Sequence, residues 1–336
     1  MIHQKPNIPP LKDLTIENIT ENVHAINSGC QDARTRFLFE RLVTHLHDFA
    51  RETRLSTNEW ETAIRFLTEC GKISSDTRQE LILLSDVLGL SLLVDSIDHP
   101  KPPASTEGTV LGPFHAHVLE TITSGSAISN DPNGEPLLVI CTVKDSRGQP
   151  VIGVDVDVWE TDSHGFYDVQ YAGREGFDGR AVLCSDEQGA FHFKAIVPVP
   201  YPIPDDGPVG KLLATLKRHQ YRPSHMHFLF RKPGYDPLIT ALYLRVDPYE
   251  TSDAVFGVKE SLIVDLQTAA DIPGCCERYS VSEMTKVLNY DFVLVSDAEV
   301  IALRTREALD AAFASGLKLK LDRGLLVRDD GGTPRI

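Results

Sequence analysis

Around residue 99 the apolar period of this 336-residue chain changes, and no single kind of element can carry both sides of that change. Upstream, Leu38, Leu42, Leu46 and Phe49 recur every third or fourth position and share one helix face. Ser56 followed by Glu59 reads as a capping box, opening a second helix striped by Trp60, Ile64 and Leu67. Asp76 with Gln79 is set to cap a third helix, continued by the run Leu81 to Leu93, in which Asp86 is the one charge. The bland reading of Asp86 is a solvated edge. Prolines and small polar residues in HPKPPASTEGTVLGP, residues 99–113, then stop any helix. Downstream the period is two. LLVICTV at 137–143 reads as a buried strand, a turn follows in DSRGQP, and Ile152, Val154, Val156 and Val158 alternate with Gly153, Asp155 and Asp157. Further strand signals lie at 190–197, 225–231 and 238–246, and helix returns from Ala298 to Ala314, closing at Gly316. The expected architecture is α+β: a helical N-terminal domain over 1–105, an all-β sandwich over 106–295 and a helical C-terminal extension over 296–336 whose polar end frays.

Charge and cysteine usage narrow the partners. Lys plus Arg number 33 against 48 Asp plus Glu, and the resulting net charge of −15 repels nucleic acid. No apolar run approaches the ~20 residues of a membrane span, which argues against membrane insertion. The opening MIHQKPNIPP lacks the basic start and apolar core of a secretory signal. Cys30, Cys70, Cys141, Cys184, Cys275 and Cys276 form no C-x-x-C pair and read as reduced, mostly buried thiols. A cytoplasmic protein is the expectation.

Histidine points to the chemistry. The twelve histidines include three H-x-H pairs: His45 with His47, His115 with His117, and His225 with His227. On a strand, residues i and i+2 face one way and can aim two imidazoles at one metal, whereas on a helix they splay. That demotes His45 and His47. His115 and His117 follow the linker and read as surface histidines. His225 and His227 lie in YRPSHMHFLFRKPGY, a short core strand bounded by prolines. They are either metal ligands or satisfied core histidines, and no H-E-x-x-H or nearby acidic residue completes a zinc or ferrous set. Tyr167 in DSHGFYDVQY and Tyr201 in VPVPYPIPDDG stand in exposed-looking turns. Taken singly, each covers a sandwich edge with its hydroxyl on water. Two phenolates with two imidazoles would instead suit Fe(III).

At these residues the chain resembles the intradiol ring-cleavage dioxygenases, and within them the group that acts on hydroxyquinol. LLSDVLGLSLLVD, TVLGPF, VDVWETDSHGFYDVQ, Tyr-Pro-Ile-Pro at 201–204, YRPSHMHF and DPYETSDAVFGVKESLI carry the match from about residue 35 to 295. The resemblance implies that Tyr167, Tyr201, His225 and His227 hold a non-haem ferric ion, with Tyr201 and His227 axial and water or hydroxide as fifth ligand. It implies a helical N-terminal domain that forms a homodimer interface holding a phospholipid. It also implies ring cleavage of benzene-1,2,4-triol by O₂ to 3-hydroxy-cis,cis-muconate, equivalent to maleylacetate, within aromatic catabolism.

In that resemblance Tyr201 takes a substrate proton on leaving the metal, and Arg222 stabilises carbanionic character in the ring. The alternative for Arg222 is a surface salt bridge. Leu83, Asp86, Val110, Leu111, Gly112, Pro113, Phe114, Ile203 and Pro204 surround the substrate, with Asp86 accepting the extra hydroxyl. One departure concerns LITALYL, where Ala241 stands in place of the glutamine of catechol-cleaving relatives or the polar residue of hydroxyquinol-cleaving ones. A small residue there loosens the pocket, so cleavage of catechol to cis,cis-muconate is the alternative. A non-catalytic β-sandwich binding module and a zinc hydrolase are the remaining readings.

Overall fold

Helices come first in the chain because its first hundred residues keep the three-to-four spacing. The computed structural model describes residues 13–75, 78–116, 121–171, 173–174 and 176–329. Its leading helices are α1 (Ile19–Asn27), α2 (Ala33–Thr53), α3 (Thr57–Ile73), α4 (Glu80–Val87) and α5 (Leu90–Asp98). The expected capping box opens α3: the Ser56 N–H donates to Glu59 Oε2 at 2.8 Å and the Glu59 N–H to Ser56 Oγ at 3.3 Å. The run 81–93 is two helices rather than one, broken between Leu88 and Gly89. Asp76 lies outside the described residues, and the Gln79 side chain donates back to the Ser75 carbonyl instead of capping α4.

The period-two region folds as β1 (Pro136–Asp145), β2 (Asp155–Trp159), β3 (Arg180–Cys184), β4 (Ala190–Ile196) and β5 (Tyr201–Pro202). After α6 (Pro208–Thr215) come β6 (Tyr221–Arg222), β7 (His225–Arg231), β8 (Leu238–Leu244), β9 (Ile263–Val264) and β10 (Gln267–Thr268). The chain continues through α7 (Cys275–Tyr279), β11 (Lys286–Leu294), α8 (Asp297–Ala314), β12 (Leu319–Asp322) and β13 (Leu325–Arg328). One sheet runs β10-β11-β1-β4 and another β3-β2-β7-β8-β9. Val139, Phe191, Phe193 and Phe292 from the first and Val156, Leu183, Phe228 and Phe230 from the second share one core, as a sandwich requires. The Phe230 and Phe292 rings meet across it at 4.4 Å.

Contacts divide the chain into two compact units, Met1–Arg65 with Thr305–Ile336, and Phe66–Arg304. In the first, the tail expected to fray is instead a hairpin through residue 328. Its strands β12 and β13 pair, with Arg323 and Gly324 both at positive φ in the turn. Arg34 donates to the Leu326 carbonyl at 2.7 Å and Arg328 Nε to Glu40 at 3.0 Å. Among the described residues no helix is long and apolar enough to cross a membrane.

Candidate active site

Strand alternation on β7 builds the site. Met226, Phe228 and Phe230 enter the sandwich core, which turns His225 and His227 to the other face. Their Nε2 atoms lie 3.0 Å apart. His225 Nδ1 is 2.7 Å from the Pro223 carbonyl, so Nδ1 carries the proton and Nε2 presents a lone pair. Burial and the nearby Arg222 guanidinium push the His225 imidazole down to about 3. Burial followed by His225 and Arg222 also hold His227 well below the usual range. Both rings are therefore neutral donors at neutral pH.

The tyrosines approach from loops. Tyr167 ends the turn after β2, where its N–H donates to Gln170 Oε1 at 2.8 Å. Its ring stacks on Phe114 at 4.9 Å, and the Phe114 carbonyl accepts from Arg180 at 3.0 Å. Arg180 in turn forms a buried pair with Asp168. Tyr201 stands opposite Arg222 in the β5–β6 pair. The backbone passes it closely at Gly165, where φ is +83° and a Cβ would lie 2.8 Å from Tyr201 Cβ. Neither tyrosine covers an exposed edge: Tyr167 is 1% and Tyr201 4% exposed, and their hydroxyls meet at 3.1 Å. Burial, reinforced by Tyr201, raises the Tyr167 phenol well above its ordinary range, because the Arg222 and Arg180 guanidinium groups offset only part of the cost of burying its anion.

Arg222 is equally far from a surface salt bridge, at 2% exposure. Its Nε and Nη2 donate to the Asp253 carboxylate at 3.1 and 3.3 Å, its Nη2 to Tyr243 Oη at 3.1 Å and its Nη1 to His225 Nε2 at 2.9 Å. Burial alone would raise Asp253, but Arg222 outweighs it and holds the carboxyl below the usual range. Burial pushes Tyr243 up to about 12, which keeps it a neutral phenol beside the guanidinium.

Beside these groups a cavity of about 290 Å³ is lined by Leu83, Pro113, Phe114 and Pro204, together with the Arg78 side. Val110 and Ile203 pack with Leu83 in the cluster behind it, and Leu111 packs against Trp159, Tyr167 and Tyr201. Gly112 leaves the approach to His227 open, since even a Cβ there would stand 3.7 Å from Nε2. Asp86 lies on the same face of α4 as Leu83 and is 3% exposed, not a solvated edge. Burial raises its carboxyl, partly offset by the Ser91 hydroxyl and Arg222. Neither the cavity beside Leu83 nor a larger one of about 630 Å³ near Arg218 and Phe256 has any of the four donors in its lining, but the smaller one is lined by Phe114 and Gln170, which both contact Tyr167.

Among the described residues no three His, Cys, Asp or Glu side chains gather in a metal-holding group, and the two phenols stand next to the two imidazoles, with the Tyr201 and His225 ring centroids 5.4 Å apart and those of Tyr167 and His227 6.4 Å apart. Two profiles match this sequence: "Catechol dioxygenase N terminus" over residues 32–106 and "Dioxygenase" over residues 112–296. An intradiol ring-cleavage dioxygenase of Aspergillus niger is 67% identical over 325 residues, which cover 97% of this chain and 98% of that protein. The chain belongs to the intradiol ring-cleavage dioxygenase family. It is also similar to the 6-chlorohydroxyquinol 1,2-dioxygenase of Cupriavidus pinatubonensis, at 47% identity over 82% of this chain and 96% of that one. The crystal structure of hydroxyquinol 1,2-dioxygenase from Pseudomonas putida DLL-E4 matches with a TM-score of 0.77 at 39% identity, covering 84% of this chain and 99% of that one.

Two features of this dioxygenase escape sequence reasoning. Asp253 and Tyr243, which hold Arg222, lie 31 and 21 residues away from it in sequence. The pairing could be sought only in DPYETSDAVFGVKESLI, where Asp253 is one of several carboxylates. His115, expected at the surface, has a side chain only 5% exposed, with Nε2 3.0 Å from Asp157. Asp157 alternates with valines as a solvent-facing residue would, yet Arg231 and His115 cover it. His117 lies outside the described residues.

Proposed function

We propose that this dioxygenase cleaves hydroxyquinol between its adjacent hydroxylated carbons, at a ferric ion held by Tyr167, Tyr201, His225 and His227. The observation that carries the reading is the convergence of two buried phenols and two buried, neutral imidazoles beside a cavity large enough for one aromatic ring. The donors fit the ion chemically. Phenols as deeply buried as Tyr167 ionise only against a strong cation, and phenolate oxygen favours a hard trivalent one. Bound there, a ferric ion supplies Lewis acidity and draws electron density from an ortho-diolate, which opens the ring to O₂.

The chain's own groups prepare the substrate. Tyr201 Oη is the base for one diol proton, and water-derived hydroxide takes the other. Arg222 Nη1, which donates to the His225 lone pair, becomes available to the substrate once that lone pair is engaged. Its guanidinium then stabilises negative charge in the ring. Leu83, Val110, Leu111, Pro113, Phe114, Ile203 and Pro204 shape an apolar slot that excludes water, and Gly112 leaves room above His227. One substrate and one O₂ give 3-hydroxy-cis,cis-muconate, with both oxygen atoms in the product. Catalysis is assigned to 106–295, with Leu83 and Asp86 contributed by the 1–105 segment and no role given to 296–336.

Asp86 supplies the discrimination, as a buried acceptor for the third hydroxyl. Leaving a buried hydroxyl without its acceptor costs about 1–3 kcal/mol, on the order of 10–100-fold in rate. Asp86→Ala should therefore lower kcat/KM for hydroxyquinol by that factor more than for catechol, followed as O₂ uptake. Equal losses on both substrates would remove Asp86 from recognition, and wild-type preference for catechol would favour the plain catechol reading that Ala241 keeps open.

Gly165→Ala should displace Tyr201. Because a displacement near 1 Å can cost about 100-fold, a loss of that order in kcat is expected, together with a lower melting temperature because alanine is strained at φ +83°. A fully active Gly165→Ala enzyme would show that Tyr201 tolerates the shift.

The same reading places the enzyme in the cytoplasm as a homodimer. Leu38, Leu42, Leu46 and Phe49 on α2 are each about half exposed, an apolar stripe suited to a second copy of the chain with a phospholipid between.

A further inference from the structure

The two histidines share a strand face but are held in different ways. His225 donates its Nδ1–H to the Pro223 carbonyl, which fixes both its tautomer and its ring plane. His227 Nδ1 is buried with no protein partner. What fixes the His227 ring is a flat contact. Trp159 is its cross-strand neighbour in the β2–β7 pair, and the two rings stack at 4.8 Å with planes 5° apart.

The indole is itself braced. His115 meets its edge at 4.8 Å and 66°, and His115 Nε2 is 3.0 Å from Asp157 Oδ2. Asp157 is 1% exposed and also accepts from Arg231 at 3.0 and 2.6 Å. Because Asp157 and Trp159 are two residues apart on β2, the strand presents both on one side. A charge pair thus anchors an imidazole, the imidazole anchors an indole, and the indole lies against the ring expected to ligate.

We propose that Trp159, braced by His115 and Asp157, is the positioning residue for His227, and does by ring stacking what the Pro223 carbonyl does for His225. This rests on His227 being a ferric ligand. Loss of a group that orients a ligand typically costs about 10–100-fold in metal affinity. Trp159→Leu holoenzyme should accordingly lose iron to excess EDTA on the order of 10–100-fold faster than wild type. Trp159→Phe, which keeps a ring, should stay much nearer the wild-type rate, and His115→Ala should fall between the two.

The visible absorption band of the holoenzyme and the melting of the iron-free protein are followed on the same variants. A purely structural role would lower the iron-free melting temperature without separating Leu from Phe in iron release. Should Trp159→Leu fail to fold, His115→Ala carries the test: faster release supports the brace, and release at the wild-type rate overturns it. Wild-type protein that takes up no ferric ion would sink the ferric reading itself. Iron-replete wild type with unchanged release from Trp159→Leu would overturn the role of Trp159 alone.

Discussion

Tyr167→Phe is expected to abolish ring cleavage while leaving the fold intact. The ring that stacks on Phe114 and lies edge-on to Tyr201 is retained, so only one oxygen is removed. Loss of that oxygen also leaves the Tyr201 hydroxyl without its neighbour at 3.1 Å, a stability effect of about 1 kcal/mol. The catalytic effect is far larger. Lewis-acid assistance contributes several kcal/mol, and forfeiting ~4 kcal/mol corresponds to a loss of about 1,000-fold in kcat. Oxygen consumption with hydroxyquinol, iron content and melting temperature measured on one preparation check this. A Tyr167→Phe enzyme within about tenfold of wild type would mean that Tyr167 supplies no ligand.

Arg222→Ala should damage both activity and stability, and the two losses are separable by pH. Breaking a buried ion pair by removing one partner costs about 3–5 kcal/mol, here because the Asp253 carboxylate is left without a cation. In wild type the folded pKa of Asp253 lies below its unfolded value of ~3.9. Its pair therefore stabilises fully above that unfolded value and is lost as pH falls through the folded one. Without Arg222, burial is opposed mainly by the Val255 and Gly257 N–H groups, at 3.3 and 2.8 Å, and the folded pKa is expected to rise above the unfolded one. The ionised carboxylate then destabilises the variant at neutral pH, and the deficit shrinks as acid protonates it. Melting curves between about pH 7 and pH 5 should show Arg222→Ala recovering relative to wild type. A deficit constant across that range would mean that Asp253 finds another partner. The activity loss should persist at every pH, and Arg222→Lys should not restore it, because a point charge cannot reproduce a guanidinium held by three side chains.

Much of the site is legible in the sequence because its logic is local. The H-x-H spacing on a strand puts His225 and His227 on one face whatever the rest of the chain does, and the capping box at Ser56 names its own helix start. Features that depend on distant partners are not legible. Asp157 looks like an outward residue of an alternating strand, and only the pairing of β2 with β7 brings Arg231 over it. Tyr167 and Tyr201 look exposed because their turns are rich in Gly and Pro, but the turns fold inward and bury both rings. The β12–β13 hairpin did have a local signal, the alternation of Leu317, Leu319 and Leu321 with Lys318 and Lys320 before Arg323-Gly324. Its polar composition masked that alternation.

In the proposed function Tyr167, Tyr201, His225 and His227 would hold a ferric ion that the substrate reaches directly. That arrangement is tested by the visible absorption spectrum of the purified protein, with iron quantified on the same sample, before and after anaerobic addition of hydroxyquinol. Tyrosinate ligation predicts a broad charge-transfer band that makes the protein red and moves to longer wavelength on addition of the substrate. A colourless, folded, fully metallated protein whose spectrum ignores hydroxyquinol would contradict it.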